Sequence, residues 1–163
     1  MPTVATIGVY GFTADTFLAT LRRAKVKVVL DLRQRRGVRG ADYSWANAVR
    51  LQAALADAGI EYRHLRDLAP TTAMRELQYR EDANQGVGKR SRVELAPAYA
   101  RQYTTKILDP FDLDIVVDAL PTRGIAALLC VERDPEACHR SLVADRLAKE
   151  HGVTIEHLRP ADA

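Results

Sequence analysis

Short apolar runs alternate along this chain with stretches whose apolar residues recur at every third or fourth position, the periods of strand and helix. Val4-Ala5-Thr6-Ile7-Gly8 reads as a first strand. Thr13 is placed to cap a helix from about Ala14 to Arg23, with Phe17, Leu18 and Leu21 on one face. Val26 to Asp31 is a β-branched strand ending on an acid, followed by an arginine- and glycine-rich loop from Leu32 to Tyr43. Ser44 is the predicted cap of a helix to about Ala58, with Gly59 just beyond its end. Ile60 to Leu65 reads as a strand and Thr71 to Tyr79 as a short helix. Glu81 to Ser91 is polar, carries Asn84, Gln85, Gly86 and Gly88, and is expected to be a mobile loop. Pro97 suits a first helical turn, so helices are expected over about Pro97–Leu108 and Phe111–Leu120. A buried strand, Ile125 to Leu129, a helix from about Cys138 to His151, Gly152 and a strand from Val153 to Leu158 complete the chain.

Strands that alternate with helices predict an α/β fold: one domain, a mostly parallel sheet, helices on both faces. The 163 residues suit a single core. Gly59 to Arg66 faintly echoes Gly152 to Arg159, each following a helix that follows a strand. Duplication explains this echo, and so does a shared solution to one helix-to-strand geometry. The two units are expected to be neighbours in the sheet.

Charge adds a partner class. The formal net charge is +3 and the pI about 9.0. Arg33, Arg35, Arg36 and Arg39 crowd one loop, and Lys89, Arg90 and Arg92 form a second basic run. An anionic small molecule is the expected partner, and nucleic acid is possible through phosphate contacts. Few aromatics interleave with these runs in the sequence, so any nucleic-acid affinity is expected to be weak and salt-dependent. No apolar run reaches the roughly 20 residues that span a bilayer, and the N-terminus lacks a signal-like segment. The chain is therefore read as cytoplasmic with no membrane partner, and its two cysteines as free thiols.

The chemistry concentrates in Cys130-Val131-Glu132-Arg133-Asp134-Pro135-Glu136-Ala137-Cys138-His139-Arg140, between a strand and a helix. Cys138, His139 and Arg140 are expected in the first turn, where free backbone N–H groups and the helix dipole favour an anion. Cys138 is the candidate nucleophile, its thiol pKa lowered by the helix N-terminus and His139. It packs the helix on the sheet equally well. Cys130 reads as core. Asp31 and Glu132, at two strand ends, are candidate acid–base groups or structural ion-pair partners. Arg33, with His139 and Arg140, is the candidate substrate-binding set, and the two arginines are expected to line one crevice with Cys138. His64 and His157 read as core or surface histidines. The cysteine spacing fits neither a C-x-x-C pair nor a phosphatase loop, no metal-ligand spacing is present, and no cofactor can be named.

Thr6-Ile7-Gly8 before a helix, Leu30-Asp31-Leu32-Arg33, Gly59-Ile60-Glu61-Tyr62, and Leu129-Cys130-Val131-Glu132 running to Cys138-His139-Arg140 occur here in one order. Together they resemble the bacterial and archaeal family called domain of unknown function 488, over nearly the whole chain. In that family Thr-Ile-Gly is followed by His or Tyr and then a polar residue. Here Val9 precedes Tyr10, which makes Tyr10 the substitute at the first loop and a further candidate for substrate binding. The resemblance implies a small α/β domain with its characteristic residues at strand ends, and no assigned reaction. Three functions are carried forward: an enzyme-like domain acting, as a hydrolase or transferase, on a phosphate-bearing or nucleotide-like small molecule; a nucleic-acid-binding module; and a redox or regulatory domain built on a cysteine.

Overall fold

A computed structural model describes residues 2–88 and 90–161; Lys89 of the second basic run lies outside them. Five strands form one all-parallel sheet: β1 (Thr3–Ile7), β2 (Val26–Asp31), β3 (Glu61–His64), β4 (Ile125–Leu129) and β5 (Thr154–Leu158). Their order across the sheet is β3-β2-β4-β1-β5. The helices are α1 (Ala14–Arg23), α2 (Ala48–Asp57), α3 (Thr72–Asn84), α4 (Pro97–Tyr103), α5 (Asp114–Asp118) and α6 (His139–His151). The fold is a single α/β domain, and among the described residues no helix is long and apolar enough to cross a membrane.

Alternation along the strands sorts side chains onto two faces. Ala127 and Leu129 of β4 meet Phe17 and Leu21 of α1 and Leu51 and Leu55 of α2. Ala126 and Leu128 meet the other face, with Met74 of α3, Tyr99 and Tyr103 of α4, Val116 of α5 and Val143 and Leu147 of α6. Strands buried on both sides read as near-continuous apolar runs, as β2 and β4 do.

Thr13 caps α1 in a capping box with Thr16, and Gly59 and Gly152 take positive φ at the ends of α2 and α6. Four boundaries differ from the sequence pattern. Residues Ala41–Ala46 form a 3-10 turn, so α2 starts at Ala48; Ser44 donates to the Ala41 carbonyl instead of capping. Helix α3 runs on to Asn84, through the first part of the segment expected to be a loop. Helix α4 continues as a π-helical turn, Thr104–Leu108, and α5 covers only part of Phe111–Leu120. The two echoing units are neighbours through their opening strands, β2 and β4, which pair directly, while the strands that carry the echo, β3 and β5, are the two opposite edges of the sheet.

The sheet order locates the edge that carries the candidate site. The loop after β2 leads to α2 on one face, and the loop after the adjacent β4 leads to α6 on the other. Between strands whose connections diverge in this way the carboxyl edge opens into a crevice, the usual ligand position in open α/β sheets.

Candidate functional site

The crevice at β2 and β4 is a cleft of about 480 Å³, part of it open to solvent. Its floor is Cys130, Cys138 and His139, and Glu132, Arg33, Arg35, Arg75 and Arg92 stand around it. Cys130 ends β4. A 3-10 turn, Pro135–Ala137, then folds the chain back so that Cys138, the N-cap of α6, and His139 return to it. The Cys130 sulfur lies 3.4 Å from His139 Nδ1 and 3.2 Å from Nε2, and the Cys138 sulfur 3.8 Å from Nδ1. His139 Nε2 is 3.0 Å from the Leu32 carbonyl. A carbonyl only accepts, so Nε2 carries a hydrogen; the Cys138 sulfur lies on the Nδ1 side, and the Cys130 sulfur is about equally near both ring nitrogens.

These groups set one another's charge. Burial opposes ionisation of Cys138, but a hydrogen bond from Cys130 and the positive charges of Arg140 and His139 outweigh it and hold this thiol well below its usual range. Burial, with Cys138 and Glu132 alongside, pushes Cys130 well up. His139 is raised: burial works against its charge, and the adjacent Cys138 overcomes that. The surroundings thus bias Cys138 toward the thiolate, Cys130 toward the thiol and His139 toward its charged form.

A model of the family described as domain of unknown function DUF488 matches residues 13–147. The chain belongs to the DUF488 family. No curated protein and no solved structure matches it. The match spans α1 to most of α6, and so every floor residue of this DUF488 cleft; it leaves out β1, Tyr10 and β5.

Within the DUF488 domain the candidate residues do not all converge. Arg33, Glu132, Cys138 and His139 line the cleft. Asp31 stands behind Arg33, which donates to it through Nε and Nη2 at 2.9 Å each and through Nη1 to the Ala46 carbonyl at 2.8 Å. Tyr62 donates to the same carboxylate at 2.5 Å. Asp31 is therefore spent on orienting Arg33. Arg140 is fully buried and does not line the cleft: it donates to the carbonyls of Glu132 and Arg133 at 2.7 and 3.1 Å. Tyr10 lies in an adjoining groove with Arg39 and Arg90, which shares Arg35, Arg75, Tyr79 and Val131 with the cleft.

Several contributors have no motif in the sequence. Arg92 reaches into the cleft and pairs with buried Asp82 of α3 at 2.6 Å, and with Glu132 at 3.2 Å. Gln78, four residues before Asp82, donates to it and accepts from the Ala96 N–H. Cys130, read as core, shares the floor with Cys138 and His139. The donor atoms of these three lie within 4.8 Å of one another, a metal-ligand cluster that linear spacing does not contain. The available signal was the i, i+4 pair Gln78/Asp82 on one helical face.

Proposed function

We propose that this domain is enzyme-like and takes a small phosphate-bearing, nucleotide-like molecule into the strand-edge cleft, with Arg35 and Arg75 receiving its anionic group. One observation carries the reading: the balance of charge around the cleft. Arg33 is neutralised by Asp31, and Arg92 by Asp82 and Glu132. Among the described residues Arg35 and Arg75 have no carboxylate partner; Arg75 donates only to neutral Gln34 and Tyr79, at 3.1 and 2.9 Å. Two uncompensated guanidinium groups beside one cleft are planar forks suited to a phosphate. Cys138 and Glu132 are the groups nearest the bound molecule with chemistry to act on it. A cytoplasmic setting, which keeps both thiols reduced, belongs to the same reading.

Inorganic pyrophosphate and a nucleoside monophosphate are the probes. Each should raise the Tm of the full chain, and added salt should diminish the effect. A hydrogen bond to a charged group contributes roughly 1.5–3 kcal/mol, so Arg35→Ala or Arg75→Ala should weaken binding about tenfold or more. Unchanged stability with either probe, or unweakened binding in both variants, would sink the reading.

The adjoining groove favours nucleic acid as a second reading. Arg90 stacks over Tyr10 and Tyr43 at 5.2 and 5.1 Å, and Arg75 over Tyr79 at 5.7 Å. The fold thus interleaves aromatics and arginines that are separate in the sequence, as single-strand binders do. Single-stranded oligonucleotide binding that outcompetes pyrophosphate, and falls steeply with salt, would favour this reading.

A further inference from the structure

We propose that Cys130, Cys138 and His139 form a three-ligand site for a zinc-class metal ion, with the fourth coordination position open to the cleft. Tetrahedral zinc, with Zn–S of about 2.3 Å and Zn–N of about 2.0–2.1 Å, places sulfur roughly 3.5 Å from nitrogen and 3.8 Å from a second sulfur. Here the sulfurs lie 3.4 and 3.8 Å from His139 Nδ1, and all three donors fall within 4.8 Å. The Cys130 sulfur is also 3.2 Å from Nε2, so a central ion requires the imidazole or the Cys130 side chain to turn until Nδ1 points between the two sulfurs.

The imidazole is set for ligation. Its Nε2–H is committed to the Leu32 carbonyl, which leaves Nδ1 as the ring nitrogen free to ligate. A carbonyl behind the remote nitrogen is the usual support of a metal-bound histidine, because it fixes both tautomer and ring orientation. The Tyr103 ring packs against the imidazole, centroids 5.2 Å apart. The ligands come from rigid positions: the end of a central strand, a helix N-cap and the first helical residue.

Donor chemistry selects the ion. Two sulfurs and one imidazole suit zinc and its soft neighbours, and not magnesium or calcium, which take oxygen. Two thiolates balance the charge of a divalent ion, so burial of the loaded site leaves no net charge. All three ligands also line the cleft. Three protein ligands with one open face is the arrangement of reactive zinc sites, whereas purely structural sites are closed by a fourth. The open position is where water, or a donor atom of a molecule in the cleft, would bind.

The test uses the full, tag-free chain with Zn²⁺ and with Co²⁺ as spectroscopic stand-in. One equivalent of Co²⁺ should produce thiolate-to-cobalt charge-transfer absorption together with tetrahedral visible bands, and Zn²⁺ should displace it. Cys130→Ser and Cys138→Ser should each lose the charge-transfer intensity. Each should also weaken Zn²⁺ by more than the roughly 10–100-fold that a supporting contact alone is worth. In the unmutated protein, Zn²⁺ should protect both thiols from iodoacetamide, a measurement that stands even if the variants misfold. Absence of the charge-transfer band, equal alkylation with and without Zn²⁺, or a band surviving at full intensity in a folded serine variant would each overturn the proposal. Arg35→Ala and Arg75→Ala should keep full metal affinity, so failure of the anion reading is seen separately.

Discussion

Gly8 shows how much one missing Cβ can decide. It lies where β1 meets the loop after β4, and a Cβ there would stand 1.9 Å from the Glu132 carbonyl oxygen and 3.3 Å from Arg140 Nη1. The same carbonyl accepts from Arg140 at 2.7 Å, so the glycine lets the backbone descend onto that buried guanidinium. Gly8→Ala must push the loop outward and disturb the arginine beneath it. The expected loss is at the upper end of the roughly 1–3 kcal/mol range for overpacking, or beyond it, measured by urea unfolding. A variant within about 0.5 kcal/mol of the parent would contradict this account of the site's frame.

Among the elements, α3 is the least conventional, because its inward face turns polar after Met74. Gln78 and Asp82 are both buried on it, and Arg92 closes over Asp82 through Nε and Nη2. This clasp ties the far end of the 84–92 segment to the helix and brings a cation to the cleft wall. A buried charge that loses its partner costs about 3–5 kcal/mol, whereas replacing both partners with apolar residues is often close to neutral. Arg92→Leu should therefore destabilise by several kcal/mol, and Asp82→Leu combined with Arg92→Leu by distinctly less. A double-mutant cycle in guanidinium chloride tests this. Simple additivity would mean that the pair is not coupled. The clasp should also slow amide exchange at Gln78 and Asp82 relative to the exposed Gly86–Gly88 turn.

At the scale of the whole molecule, edge strand β5 is tied to β1 by more than its ladder. His157 Nδ1 meets the buried Thr6 hydroxyl at 2.7 Å. Burial first, then the positive charges of Arg140 and Arg159, hold the His157 pKa below its usual value, with Glu136 and Asp145 opposing. The sign follows from which state takes up the proton first. As pH falls below about 6.5 the unfolded chain binds a proton that the folded chain resists, so stability drops until the folded pKa is passed. Above about pH 7 the contribution is constant. His157→Gln should flatten the fall in Tm between pH 7 and pH 5 relative to the parent; parallel profiles would exclude His157 as its source. The difference between the two proteins isolates this group from His139 and Cys138, whose effects are common to both.

The periodicity of the chain determined most of the architecture by itself: β1, β2, β4 and β5, helices α1 and α6, the Thr13 cap and the Gly59 and Gly152 stops. The helices, the cap and the stops rest on interactions within a few residues, and the strands show as short apolar runs because the sheet buries them on both faces; both leave a local pattern. It also marked Asp31, Arg33 and the Cys130–Arg140 stretch as strand-end chemistry, because a parallel sheet brings those ends to one edge. Tertiary structure decided what each residue does there. Arg140 and Arg33 carry the same charge in the sequence, but one donates to the carbonyls of a loop while the other stands on Asp31 in the cleft wall. Cys130 looks like core until the 3-10 turn carries Cys138 and His139 back to it. The polar face of α3 hides its last turn from any hydrophobic pattern, since its partner, Arg92, comes from beyond the helix. Charge compensation, ligand convergence and buried polar pairing are properties of distance in space, and separation along the chain does not encode them.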